Sequence, residues 1–102
     1  MALCLAESLI ECSEFDARDQ MQRYVRWYRE GYFSCTGHCF DIGNTVAAAL
    51  GRFEKNGDPY AGSKDPSTAG NGSIMRLAPV ALFYGTQPVK AVQFAAHSSL
   101  TT

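Results

Sequence analysis

The sequence lacks a surplus of charge of either sign and has no basic stripe. Nine Lys and Arg stand against ten Asp and Glu, a formal net charge of −1. Proteins that hold nucleic acid by its phosphates need clustered Lys and Arg, so we expect no nucleic-acid partner. No apolar run approaches the roughly 20 residues that span a bilayer, and no basic segment precedes an apolar one at the N-terminus. We therefore expect a cytoplasmic protein without a membrane partner.

Without an export signal, the cysteines are expected to be reduced thiols rather than disulfides. They are Cys4, Cys12, Cys35 and Cys39. Cys35, His38 and Cys39 are close enough in sequence to suggest zinc, but a closed zinc site needs a fourth ligand. Cys4, Cys12 or His97 would have to supply it, and this spacing favours free loop cysteines.

No segment alternates apolar and polar residues as a half-buried strand does, and no internal repeat is present. Hydrophobic residues make up 46% and charged residues 19% of the 102 positions, which is ordinary globular usage. Apolar residues recur at helical spacing along most of the chain. We predict an all-α fold of about five helices in one domain, residues 1–102.

Caps and glycines suggest where the first three helices begin and end. The first is predicted from Met1 to Cys12, buried on most of its surface, and the second from the N-cap Asp16 to near Gly31. Asp41 or Asn44 is expected to cap the third, which stops at Asn56-Gly57. Its predicted inner face is Val46, Ala49, Leu50 and Phe53.

Residues 57–72 form a long predicted loop, of a length that is more often functional than idle. An apolar helix is expected after it, up to Gly85, with Pro79 either kinking it or marking a late start. Thr86 is expected to cap a last helix from Pro88 to about Leu100. On that helix, His97 is interpreted as a residue favoured by the helix dipole rather than as a general base.

The strongest local signal is Gly70-Asn71-Gly72-Ser73 at the start of a helix. Glycines permit close backbone approach, and helix amides with a Ser hydroxyl suit a phosphate or another polyoxygenated ligand. Arg76 is placed to reach the same ligand, or to pair with an acidic neighbour. An ordinary glycine-rich start of a helix is the competing interpretation. Trp27, by contrast, lies on a helix face typical of a core.

The run Ala-Gly-Asn-Gly-Ser-Ile-Met-Arg-Leu-Ala-Pro, residues 69–79, resembles the central motif of the ADP-ribosylglycohydrolase family, which includes dinitrogenase reductase-activating glycohydrolase. Residues 1–9 resemble the helix that follows the family's Gly-Asp-Asp-Thr motif. Residues 20–32 and 40–45 resemble its bacterial branch. The resemblance implies an all-helical fold, and it places Gly70, Asn71, Gly72, Ser73 and Arg76 at an ADP-ribose cleft.

The resemblance also implies two divalent ions, magnesium or manganese, held by Asp and Thr residues at positions that this sequence does not contain. The scattered Asp41, Asp58 and Asp65 do not replace them. We therefore expect a truncated central fragment without hydrolase activity alone, with weak ADP-ribose binding, that forms a homo-oligomer. The alternative is a segment of an active hydrolase, completed by missing flanks or a partner chain. A small interaction protein on the same scaffold is a third possibility.

Overall fold

The structure is a computed structural model that describes residues 1–102. It has six α-helices, one 3-10 helix and no strand, so the predicted all-α fold is confirmed. The helices are α1 Ala2–Cys12, α2 Ala17–Glu30, α3 Asn44–Asn56, α4 Gly72–Met75, α5 Ala78–Phe83 and α6 Pro88–Thr101, with the 3-10 helix at Pro66–Thr68. None of them has the length and hydropathy needed to cross a membrane.

Helix α2 begins after Asp16 and ends before Gly31, the two residues predicted to delimit it. The Asp16 carboxylate accepts a hydrogen bond from the Asp19 amide at 2.9 Å, which satisfies a free amide of the first turn. Gly31 ends the helix in the left-handed region at φ 74°. A Cβ there would lie 2.1 Å from the carbonyl oxygen of Gly37, so only glycine fits between the helix and the following loop.

Helix α3 buries the four residues predicted for its inner face, Val46, Ala49, Leu50 and Phe53. Gly57 ends it, as expected, with φ 72°. The predicted start was wrong, since Gly43 is the N-cap and contributes no side-chain hydrogen bond. Asn44 is instead the first helical residue, and Asp41 lies outside the helix.

The apolar segment after the glycine turn is divided into α4 and α5, which is why the structure has six α-helices rather than about five. Pro79 lies in the first turn of α5, where its missing amide costs nothing, so the late start is the correct alternative. The cap predicted for α6 was wrong. Gln87 precedes the helix, and no side chain caps it.

Helix α1 packs against α2 and α5, and α6 also packs against these two helices. The core is a single cluster in which Leu5, Met21, Tyr24 and Leu50 are fully buried. Helix α1 is less buried than predicted, because Leu3 and Ile10 are 60% and 68% exposed. The helix therefore carries one buried face and one apolar face that nothing in this chain covers.

The long loop is tied down at its centre. Gly62 donates its amide to the carbonyl oxygen of Leu100 at 3.0 Å. Arg52 donates through Nε to the carbonyl oxygen of Ala61 at 2.8 Å. The predicted loop at 57–72 thus runs along the end of α6 and leads into the glycine turn in a fixed position.

Candidate functional site

An open cleft of about 460 Å³ lies between the start of α1, the start of α3 and the glycine turn. Its walls come from parts of the chain that are far apart in sequence. They are Met1, Ala2, Trp27, Asp41, Ile42, Gly43, Thr45, Val46, Gly70, Asn71, Gly72, Met75 and Arg76. Four of the five predicted site residues, Gly70, Asn71, Gly72 and Arg76, are therefore brought to one cleft.

The two glycines of the turn have different structural reasons for being glycine. Neither adopts a positive φ. A Cβ on Gly70 would meet no atom within 4 Å, whereas a Cβ on Gly72 would lie 3.1 Å from Val46 Cγ2. Gly72 thus lets the turn pack closely against α3, and Gly70 leaves open backbone beside the cleft. Helix α4 has only four residues, so its dipole adds little to anion binding.

Ser73 does not line the main cleft. Its hydroxyl lies 3.1 Å from that of Ser99 on α6. It faces a smaller neighbouring cavity of about 200 Å³, which Gly70 and Gly72 also line. The glycine turn therefore separates the two cavities, and the predicted Ser73 hydroxyl is paired within the protein.

Arg76 is almost fully buried, with 2% of its surface exposed. It donates through Nε to the Tyr24 hydroxyl at 3.1 Å, and through Nη2 to the Ser98 carbonyl oxygen at 2.9 Å and the Thr101 hydroxyl at 3.0 Å. The Ser98 carbonyl belongs to the last turn of α6, whose partial negative charge favours a cation. Arg76 thus joins the segment after the glycine turn to α2 and α6.

No carboxylate pairs with Arg76, which takes part in none of the ion pairs of the structure. Its Nη1 atom is buried and has no hydrogen-bond partner. Burial raises the pKa of its neighbour Tyr24 to about 12, although Arg76 acts in the opposite direction. Tyr24 therefore remains a neutral hydroxyl at physiological pH and accepts from Arg76.

The acidic residues do not form a metal centre. Asp41 lines the cleft, but Asp58 and Asp65 accept amide hydrogen bonds from Tyr60 and Ser67, both at 2.9 Å, within their own turns. No three His, Cys, Asp or Glu side chains come together as possible metal ligands. A pair of divalent ions requires clustered oxygen ligands, so the residues present do not fit such a site.

Cys35, Cys39 and His97 do not line the cleft. Cys35 and Cys39 are free thiols on a small surface cavity next to Trp27 and Phe40. His97 packs in an aromatic cluster, with its ring 5.8 Å from that of Phe94 and 6.2 Å from that of Tyr60. Nothing in its surroundings makes it part of the cleft.

Sequence reasoning missed two sets of residues around the cleft. Trp27 packs against the core, as predicted, but also forms part of the cleft wall. Asp41 and Thr45 line the cleft at the start of α3. For Asp41 and Thr45, the sequence offered one indication: residues 40–45 resemble the bacterial branch of the ADP-ribosylglycohydrolase family.

The sequence matches the ADP-ribosylglycohydrolase family over residues 1–102. The chain belongs to the ADP-ribosylglycohydrolase family. The predicted resemblance is thus confirmed, and it covers the cleft, the glycine turn and every helix of the structure.

Two relatives show how much of a family member this chain represents. It is 51% identical over 83 residues to the ADP-ribosylarginine hydrolase Tri1 of Pseudomonas putida (strain GB-1), a match covering 81% of this chain and 22% of that protein. It is 48% identical over 83 residues to Tri1 of Serratia proteamaculans (strain 568), covering 81% of this chain and 23% of that protein. The chain thus spans less than a quarter of these relatives' length.

A solved structure described as an ADP-ribosylglycohydrolase-related protein complex shares the fold. The TM-score is 0.76 at 46% sequence identity, and the match covers 99% of this chain and 30% of that one. This chain therefore corresponds to a part of the ADP-ribosylglycohydrolase fold rather than to the whole.

Proposed function

We propose that this chain forms one wall of the ADP-ribose cleft of a hydrolase that acts on ADP-ribosylarginine, and that it has no hydrolase activity alone. One observation carries the proposal: the glycine turn Gly70-Asn71-Gly72 lines a cleft that contains no cluster of metal ligands. Support for the substrate comes from relatives that are about half identical in sequence and are ADP-ribosylarginine hydrolases.

Hydrolysis of the bond between ribose and a guanidinium requires an activated water and a stabilised leaving group. Magnesium or manganese would supply that activation in a completed enzyme, and residues outside this chain would have to hold the ion. The present chain supplies the backbone of the glycine turn, held in place by the buried Arg76. The alternative proposal is that this chain is a segment of an active hydrolase, which other segments of the enzyme or a partner chain complete.

A cleft with one wall missing should bind ADP-ribose weakly, since the ligand stays largely in water and still loses its rotational and translational freedom. We expect calorimetric titration of the chain with ADP-ribose to give millimolar affinity or no heat. Micromolar binding would contradict the proposal that the wall is incomplete.

Gly70→Ala tests whether the ligand contacts the backbone of the glycine turn. The added methyl group would meet no protein atom within 4 Å, so any effect on binding would come from the ligand. In an enzyme completed with the flanks of the Pseudomonas putida relative, Gly70→Ala should raise KM for ADP-ribosylarginine about tenfold, a misfit of about 1.4 kcal/mol. Gly51→Ala is the matched control, since its Cβ also meets nothing within 4 Å and it lies on α3 outside the cleft. An unchanged KM in Gly70→Ala would exclude contact between ligand and this backbone.

We further propose that the isolated chain self-associates. Large apolar side chains are left exposed, including Leu82 at 82% and Ile10 at 68%, and contiguous apolar surface of this kind is rarely left in water. Sedimentation should therefore detect a dimer or larger oligomer. A clean monomer at tens of micromolar would contradict this part of the proposal.

A further inference from the structure

A small cavity of about 240 Å³ lies beside the cleft and shares part of its wall. Trp27 and Asp41 line both spaces. Cys35 and Cys39 line the small cavity as free thiols, and the proposed function uses neither of them. A pair of thiols on one small space has a chemistry that a single cysteine lacks, because one sulfur can displace a group bound to the other.

The loop that carries the two cysteines is folded back on itself. The Thr36 hydroxyl donates to the His38 carbonyl oxygen at 3.1 Å, and the Ser34 hydroxyl donates to the same oxygen. Ser34 and His38 therefore lie side by side, and Cys35 and Cys39 directly follow them in the chain. A disulfide needs Cα atoms about 4.4–6.8 Å apart, which is the separation of neighbouring chain segments in hydrogen-bond contact.

The surroundings of the four thiols favour reaction at this pair. Burial raises the pKa of Cys4 and of Cys12, so less of either is present as the thiolate that attacks disulfides. Cys35 is exposed, whereas Cys39 is partly buried and donates through Sγ to the Asp41 carbonyl oxygen at 3.7 Å. A disulfide arriving from solvent therefore meets Cys35 first.

We propose that Cys35 and Cys39 form a redox-sensitive dithiol, at which oxidised glutathione closes a reversible internal disulfide beside the cleft. The Cys35 thiolate attacks the glutathione disulfide, which forms a mixed disulfide and releases one glutathione thiolate. The Cys39 thiolate then attacks the Cys35 sulfur and releases the second. Two cysteine thiols are thus oxidised, one glutathione disulfide is reduced to two thiols, and the two cysteine protons pass to the released glutathione.

The internal disulfide changes the wall that the two spaces share. Oxidation removes the hydrogen of the Cys39 thiol, so Sγ no longer donates to the Asp41 carbonyl oxygen and is drawn toward Cys35. Asp41 then loses the contact that fixes its backbone, and both Asp41 and Trp27 border the cleft. This change does not depend on which ligand the cleft binds, so it stands apart from the proposed function.

The test treats the full chain with oxidised glutathione and then with an excess of reduced glutathione. Thiol titration and mass spectrometry of peptides identify the bonds formed. Trp27 is the only tryptophan of the chain, so its fluorescence reports on the shared wall, where a disulfide would quench the indole emission. Cys39→Ser removes the second thiol of the pair. Cys12→Ser is the matched control, because Cys12 is also partly buried but lines neither space.

We expect oxidised glutathione to remove two of the four thiols of the unmodified chain and to quench Trp27, and reduced glutathione to reverse both changes. Cys12→Ser should form the same disulfide, whereas Cys39→Ser should keep one glutathione on Cys35, since no second thiol displaces it. Helix content should stay constant in circular dichroism, because both cysteines lie outside the helices. Four results would overturn the proposal: no internal disulfide, a lasting glutathione adduct on the unmodified chain, unchanged Trp27 emission, or a disulfide that forms only as helix content falls.

Discussion

Removing the hydroxyl of Tyr24 tests whether the buried Arg76 holds the glycine turn in place. Tyr24→Phe keeps the ring, which is fully buried, and deletes only the oxygen that accepts from Arg76 Nε at 3.1 Å. No cavity larger than one oxygen atom results. The change therefore isolates one hydrogen bond to a buried cation.

The magnitude follows from the surroundings of the guanidinium. Hydrogen bonds to charged groups contribute about 1.5–3 kcal/mol, and a buried donor left unpaired loses its full hydration. Arg76 already has one unpaired nitrogen, Nη1, so losing the bond at Nε leaves only the two bonds of Nη2 to α6. We expect Tyr24→Phe to lower the free energy of unfolding by about 2 kcal/mol. For a domain of this size that corresponds to a fall in Tm of roughly 8–16 °C.

Urea denaturation followed by circular dichroism measures this loss, and a double-mutant cycle assigns it. In an Arg76→Met background, Tyr24→Phe should cost less than about 0.5 kcal/mol, because the partner of the hydroxyl is gone. Tyr60→Phe is the control, since Tyr60 is 44% exposed and its hydroxyl makes no hydrogen bond within the protein, and should change stability by no more than about 0.5 kcal/mol. An equal loss from Tyr24→Phe in both backgrounds would refute the reasoning.

Two further predictions concern the scaffold around α2. Gly31→Ala should destabilise the protein by about 2 kcal/mol or more in urea denaturation, because the new Cβ would lie 2.1 Å from the Gly37 oxygen at a left-handed φ; a loss below about 0.5 kcal/mol would disprove the close approach. Burial acts to raise the pKa of Asp19, but the hydrogen bonds and the positive charge of Arg23 outweigh it and hold the pKa of this carboxyl below its usual value. Since this pKa is lower in the folded state, its stabilisation is present above the unfolded value and is lost as pH falls through the folded one. Asp19→Asn should thus flatten the acid limb of the stability profile below about pH 4, and an unchanged profile would contradict this.

Local signals predicted much of the fold because they act over short distances. The Asp16 cap, the left-handed Gly31 and Gly57, and the inner face of α3 each depend on residues within one or two turns. The cap of α6 was mispredicted at Thr86 because a capping residue is common but not required before a proline. Helix ends therefore followed from sequence where a backbone conformation demanded a particular residue.

The candidate site was only partly predictable, because its geometry depends on contacts between distant segments. The glycine turn was recognised, but the burial of Arg76 depends on Tyr24, which lies 52 positions earlier in the chain. Ser73 was predicted to face the ligand, and that stays a prediction; sequence could not indicate that its hydroxyl lies 3.1 Å from that of Ser99, 26 positions later. The first helix was likewise predicted to be buried on most of its surface, but Ile10 is 68% exposed, because an apolar pattern does not say whether a neighbour in the same chain covers it.

The central claim is that this chain is one wall of a hydrolase and needs the rest of the fold for chemistry. The most direct test is release of ADP-ribose from ADP-ribosylarginine in the presence of magnesium, by the chain alone and after assembly with the flanking segments of the Pseudomonas putida relative. We predict no release by the chain alone and magnesium-dependent release by the assembled protein. Release by the chain alone, or none from a complex that has assembled, would contradict the account.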